Sequence, residues 1–229
     1  VEARALSVVS LLAAIAATFL VFRVFAAPRA TRAEEAPWRT LDVPALATTA
    51  LTMTCPMVWA LTIRPMSDLP GLALALAAQA CLLTAWWWQT TPEGGDSRMS
   101  PDTLIASGRM IVLGALLAGL AVGLRTQTLW YTVPLLGVVL VDRIGRGVAG
   151  AIMGATMTFA IGALAWAVPL LVASGGLGPY LAALGTQAGE DFASGEMLYT
   201  NPAPRLVAMA LVHTFVDPWD SVPLAAVVL

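Results

Sequence analysis

The stretch ALTIRPMSDLPGLALAL (60–76) brings two apolar runs together at Arg64, Pro65, Ser67 and Asp68, with almost no loop between them. A soluble helical hairpin would surround such a tip with further charge. Here the flanks stay apolar for nearly the ~20 residues that a helix needs to cross the hydrocarbon core. The rest of the chain agrees. Its 229 residues are 59% hydrophobic and 11% charged, with a mean hydropathy of +0.80. Soluble domains carry about 25% charged residues, so too few charges remain to cover a water-facing surface. Segments of strictly alternating polarity, the mark of a transmembrane β-barrel, are not visible. The sequence therefore predicts an all-α, polytopic transmembrane helical bundle, with 1–229 as a single transmembrane domain.

Apolar runs lie near 5–26, 43–63, 69–88, 109–124, 128–141 and 147–173; a further hydrophobic stretch begins near 205 and is broken by DPWDS (217–221), with the start of another span near 219. The run TTPEGGDSRMSPD (90–102) reads as a polar loop. Beginning at Val1 and stopping inside an apolar run, the sequence reads as an internal piece of a longer membrane protein. A net charge of −2 offers no basic surface for nucleic acid. All twelve cations are Arg, a hint of a GC-rich bacterial genome. Cys55 and Cys81 fall within apolar spans and read as unpaired core thiols. With a single His, no zinc-type ligand cluster is spelled out. No cofactor is evident, and a divalent metal stays open.

Orientation follows from the arginines. If residue 1 is outside and the runs alternate, Arg23, Arg29, Arg32, Arg39, Arg98, Arg109, Arg143 and Arg146 lie inside. Arg4, Arg64, Arg125 and Arg205 lie outside, a balance of eight to four that the positive-inside rule favours. Trp38 and Trp86–Trp88 then mark the inner interface, and Trp59, Trp130, Tyr131 and Trp166 the outer one. The expected location is a bacterial inner (plasma) membrane, crossed several times.

That assignment gathers the polar residues on the outer face. Pro65 restricts Arg64 before it, Ser67 is a natural N-cap, and Asp68 complements a positive helix end. Asp68 thus reads either as a capping acid or as a site residue. Arg64 reads as a snorkelling side chain or, with Arg125 on the same face, as half of a phosphate-holding pair. Arg125 and Gln127 add hydrogen-bonding capacity at the tip of the second hairpin, GLAVGLRTQTLWYTVPLL (119–136). Within it, Gly119 and Gly123 form a small-xxx-small face for close helix packing, and Gly150 and Gly154 repeat the spacing.

The segment 174–204 is too polar to span and reads as an outer loop carrying amphipathic helices. Tyr180, Leu181, Leu184, Ala188 and Phe192 share one helical sector, suited to the membrane surface. Glu190 falls on the solvated side, whereas Asp191 falls in the apolar sector. Either the helix ends near Gly185 and Gly189 and leaves Asp191 in water, or Asp191 points into a polar cavity. His213 lies in apolar surroundings and reads as structural.

The order of these features resembles the membrane glycosyltransferases of the GT-C superfamily, including mannosyl- and arabinosyltransferase-like proteins. The matching features are the Arg-Pro-x-Ser-Asp tip, the GLAVGLRTQTLWYTVPLL hairpin, the inner turn DRIGRG and the outer loop. The resemblance covers about residues 45–225. It implies a hexosyl- or pentosyltransferase that takes sugar from a polyprenyl-phosphate donor on the periplasmic face. The partners implied are the lipid-linked sugar donor and membrane lipids. The family's catalytic carboxylate lies in its first outer loop, which would precede Val1, so the catalytic residue is unassigned. Arg64, Asp68, Arg125, Gln127 and Asp191 are the candidate substrate-binding residues. A multi-pass transporter or permease is the alternative, and a non-catalytic scaffold a further one. Transporters favour broken helices and midplane polar groups in paired halves, whereas these polar groups cluster at one face and no repeat is visible.

Overall fold

A computed structural model describes residues 2–26, 42–55, 58, 68–90, 101–145, 150–194 and 203–216, and they are all-helical, without strands. The helices are α1 (Glu2–Ala26), α2 (Val43–Met53), α3 (Asp68–Thr90), α4 (Pro101–Leu124), α5 (Leu129–Gly145), α6 (Gly150–Ala173), α7 (Leu177–Ser194) and α8 (Pro204–Phe215). A 3-10 turn, Thr126–Thr128, joins α4 to α5. Among the described residues, five stretches are long and apolar enough to cross a membrane: Ala5–Phe25, Asp68–Trp88, Pro101–Leu124, Thr126–Gly145 and Gly150–Ala173. Large apolar side chains such as Leu12, Val141, Met153 and Val172 are exposed along them. A lipid-facing surface has this character, and we read the chain as a multi-pass helical membrane protein.

Three boundaries depart from the sequence reading. The run 43–63 is not one continuous helix: α2 stops at Met53, Thr54 caps it and Cys55 is outside any helix. A proline follows at position 56, and the residue before a proline is pushed out of helical dihedrals. Conversely, α4 starts at Pro101, well before the apolar run at 109. Pro at the first helical position and Asp102 in the first turn start it within the supposed loop. Finally, α5 continues through Gly145, so Arg143 belongs to its last turn and not to a connecting turn.

Contacts group the chain into two compact units, Val1–Thr54 with Val58–Trp166, and Cys55–Met57 with Ala167–Leu229. In the first, the buried positions are mostly small. Ala85, Ala115 and Ala155 pack with Leu82, Ile111, Leu136 and Val139 in one cluster. Lipid is as apolar as Leu, so helices in a membrane associate through close packing and not by escape from water. Leu82 against Gly114 and Ser107 against Ala85 show that α3 and α4 run antiparallel. Arg143 against Ser107 and Leu104 shows α5 returning antiparallel to α4. Helix α6 then runs parallel to α4, with Gly154 at Val112, Gly162 at Leu116 and Leu120, and Trp166 at Gly123.

The α4–α6 crossing is a backbone contact. A Cβ on Gly119 would overlap the Phe159 carbonyl oxygen, and one on Gly162 would lie 2.6 Å from the Leu116 oxygen. Thr158 Oγ1 donates across it to the Val112 carbonyl at 3.1 Å. Helix α5 contains Pro134, which removes a donor and disturbs the turn before it. There, Gln79 Nε2 of α3 donates to the Tyr131 carbonyl at 3.1 Å.

In the second unit, α6 ends on Gly175 and Gly176, with φ of 78° and 110°. That left-handed conformation suits glycine and closes the helix through Gly176 N–H donating to the Leu171 carbonyl at 2.8 Å. Helix α7 continues past Gly185 and Gly189 to Ser194, so the early helix end expected as one alternative does not occur. Helix α8 stops at Phe215, just ahead of Asp217 and Pro218 in the sequence.

Candidate functional site

The antiparallel α3–α4 pair brings the first residue of α3 to the end of α4. Arg125 leaves α4 in an extended conformation, φ −148° and ψ 109°, and thereby redirects the chain into the 3-10 turn. Its carbonyl accepts from Thr128 N–H at 3.0 Å and from Thr128 Oγ1 at 2.8 Å. Buried Thr132 then donates to the Thr128 carbonyl at 2.9 Å. The backbone beneath Arg125 is therefore fixed by two threonines. Gly71 lets α3 approach: a Cβ there would stand 3.1 Å from Arg125 Cβ.

On this base Arg125 Nη1 forms a salt bridge with Asp68 Oδ1, and Arg125 Nε donates to Gln127 Oε1 at 3.0 Å. Three of the five candidate residues are thus joined in one cluster. Asp68 stands in the first turn of α3, where the helix end favours an anion. Its carboxylate reaches across to Arg125. Asp68 is 23% exposed and Arg125 37%, so the pair is partly open. The exposed part of the Arg125 side chain can donate to a ligand oxygen. Trp130 and Tyr131, 76% and 66% exposed, follow directly on α5. Trp166 packs over Gly123 at this same end, as amphipathic rings do at a membrane boundary.

Arg64 lies outside the described residues. Asp191 is on α7 in the second unit, and its side chain also lies outside them; so does any pairing of Asp191 with Arg64 or Arg125.

The opposite end holds a residue that sequence reasoning used only for orientation. Arg143 is 4% exposed. Its Nη1 donates to Ser107 Oγ at 3.0 Å and its Nη2 to the Leu104 carbonyl at 3.1 Å. Ser107 Oγ in turn donates to the Ala85 carbonyl at 3.3 Å, so one guanidinium ties together α3, α4 and α5. The signal was present in the pattern: Thr132, Leu136, Val139 and Arg143 form one inward stripe on α5.

Fold and site together define a multi-pass helical membrane protein with an oriented Arg–Asp–Gln cluster where three spans begin or end. Comparison with protein-family models, with curated proteins and with solved structures finds no match.

Proposed function

We propose that the chain is the membrane-embedded part of a glycosyltransferase that takes sugar from a polyprenyl-phosphate donor, with the phosphate received at Arg125. The observation that carries this reading is the cluster itself. Asp68 and Gln127 hold the guanidinium, and the side chain stays partly exposed at a span boundary. A lipid phosphate is held at that depth by its tail. When the bond between the sugar's anomeric carbon and the phosphate oxygen breaks, negative charge gathers on the departing phosphate. A preoriented cation stabilises that charge more than the ground state. The Arg side chain suits this better than Lys because its planar fork can hold one partner while donating to another. The reading draws further support from the resemblance of the tip and hairpin to the GT-C superfamily.

The test is transfer by the full-length protein in proteoliposomes, supplied with radiolabelled mannose, glucose or arabinose linked to polyprenyl phosphate. Arg125→Ala should lower turnover by roughly 10²-fold, the scale for one oxyanion-stabilising donor, and Arg125→Lys by less. Thr126→Ala is the control, since Thr126 is exposed whereas Thr128 is buried and bonded to Arg125. Full transfer by a well-inserted Arg125→Ala protein would sink the assignment.

A further inference from the structure

Asp68 sits where two positive sources converge. It stands in the first turn of α3, whose amide end favours an anion, and its carboxylate is paired with the Arg125 guanidinium. The chain thus offers its own carboxylate to the cation that would receive a ligand. Gln127, the other partner of Arg125, is neutral, so the three joined side chains carry no net charge. A phosphate that reaches the exposed part of Arg125 must share the guanidinium with Asp68. The donors of one guanidinium lie close together in a rigid fork, so phosphate and carboxylate oxygens become near neighbours of like charge. Their repulsion grows in proportion to the charge that the phosphate carries.

That proportionality separates two lipids that sugar transfer interconverts. In the donor the phosphate is a diester with one negative charge. Transfer moves the anomeric carbon from a phosphate oxygen to an acceptor hydroxyl oxygen. The bonding pair stays on the phosphate, which becomes a monoester, and the hydroxyl proton passes to solvent. A phosphate monoester ionises a second time near about pH 6, so the spent carrier approaches two charges at neutral pH.

We propose that Asp68 limits the charge Arg125 can hold, admitting the singly charged phosphodiester and expelling the doubly charged phosphomonoester after transfer. The inference rests on the reading of Arg125 as the phosphate receiver. Asp68 gives up part of the stabilisation that Arg125 offers the departing phosphate, and hastens its release.

The experiment measures binding to the purified full-length protein in detergent by native mass spectrometry, at about pH 8, where the monoester is doubly charged. Two sugar-free probes are titrated separately: undecaprenyl phosphate and its methyl diester. Asp68→Asn keeps an acceptor for Arg125 and removes the charge. It should tighten the diester about threefold, the scale of one partly exposed charge pair. The monoester should tighten about tenfold, roughly the square of that factor, because its charge is doubled. Asp68→Glu restores the charge and should return both affinities to near wild-type values, which loss of a purely structural contact would not do. Asp68→Ser, neutral and suited to a helix start, repeats the test should the Asn variant insert poorly. Equal tightening of the two probes, or unchanged or weaker monoester binding in the neutral variants, overturns the inference. If Arg125→Gln then loses both probes, Arg125 remains the phosphate receiver and only the role of Asp68 falls. If Arg125→Gln binds both probes as the wild type does, that reading and the inference fall together.

Discussion

Arg125 and Arg143 stand at opposite ends of the same antiparallel helices, and the protein treats them in opposite ways. Arg125 is partly exposed and bound to a carboxylate and an amide. Arg143 is buried and ties a serine hydroxyl and a backbone carbonyl on α4 to the end of α5. A guanidinium at a helix end can therefore be a receptor or a fastener. The distinction lies in which helical stripe carries it. Arg125 falls at a break between two helices and can turn outward. Arg143 continues an inward stripe, where its two terminal nitrogens find acceptors on α4.

The comparison can be broken most sharply by asking which side of the membrane each end faces. With Cys55 and Cys81 replaced by Ala, Thr126→Cys and Gly145→Cys place single thiols at exposed positions of the two ends. An impermeant thiol reagent applied from outside should label position 126 and spare 145. The reverse pattern would invert the orientation and remove the donor phosphate from the proposed side.

Next in size is the difference in stability. Arg143→Ala should cost about 2–4 kcal/mol, from the cavity left and the hydrogen bonds lost. Arg125→Ala should cost no more than about 1 kcal/mol, as expected of a partly exposed pair. Reversible denaturation in mixed detergent micelles checks both. Equal losses would erase the distinction between receptor and fastener.

The smallest effect sharpens the receptor end alone. A double-mutant cycle with Asp68→Asn and Arg125→Gln should give a coupling of about 0.5–1 kcal/mol that shrinks as salt is raised. A coupling near zero would mean that Asp68 acts only on its own helix end.

The long apolar runs were legible because a membrane span is a matter of length and composition. Pro101 and Asp102 carried a helix start, but polar neighbours disguised the first two turns of α4 as loop. Gly119 and Gly123 announced a close crossing by their spacing. Their partner Gly162 did not, since the repeated spacing at Gly150 and Gly154 pointed two turns too early. Asp68, Arg125 and Gln127 were each legible as polar residues at run ends. What one sequence could not give was their pairing. It depends on α3 and α4 packing antiparallel with Gly71 facing Arg125, a tertiary fact with no local signature. Arg143 was misplaced for a related reason. Read as part of a charged turn, it was counted toward orientation, although its stripe already aimed it inward.

The backbone contact between Gly119 and Phe159 also orders events during synthesis. These residues lie in parallel helices, so they cannot meet until α5 has crossed back and α6 has followed. The antiparallel α3–α4 pair can close as soon as Leu124 is in the bilayer. The α4–α6 crossing is the last joint of that bundle to have both its helices synthesised. Since Trp166 covers Gly123 at the Arg125 end, the wall beside the receptor is finished only at that final step. A nascent chain halted before α6 would hold the Asp68–Arg125 pair and still lack the enclosure around it.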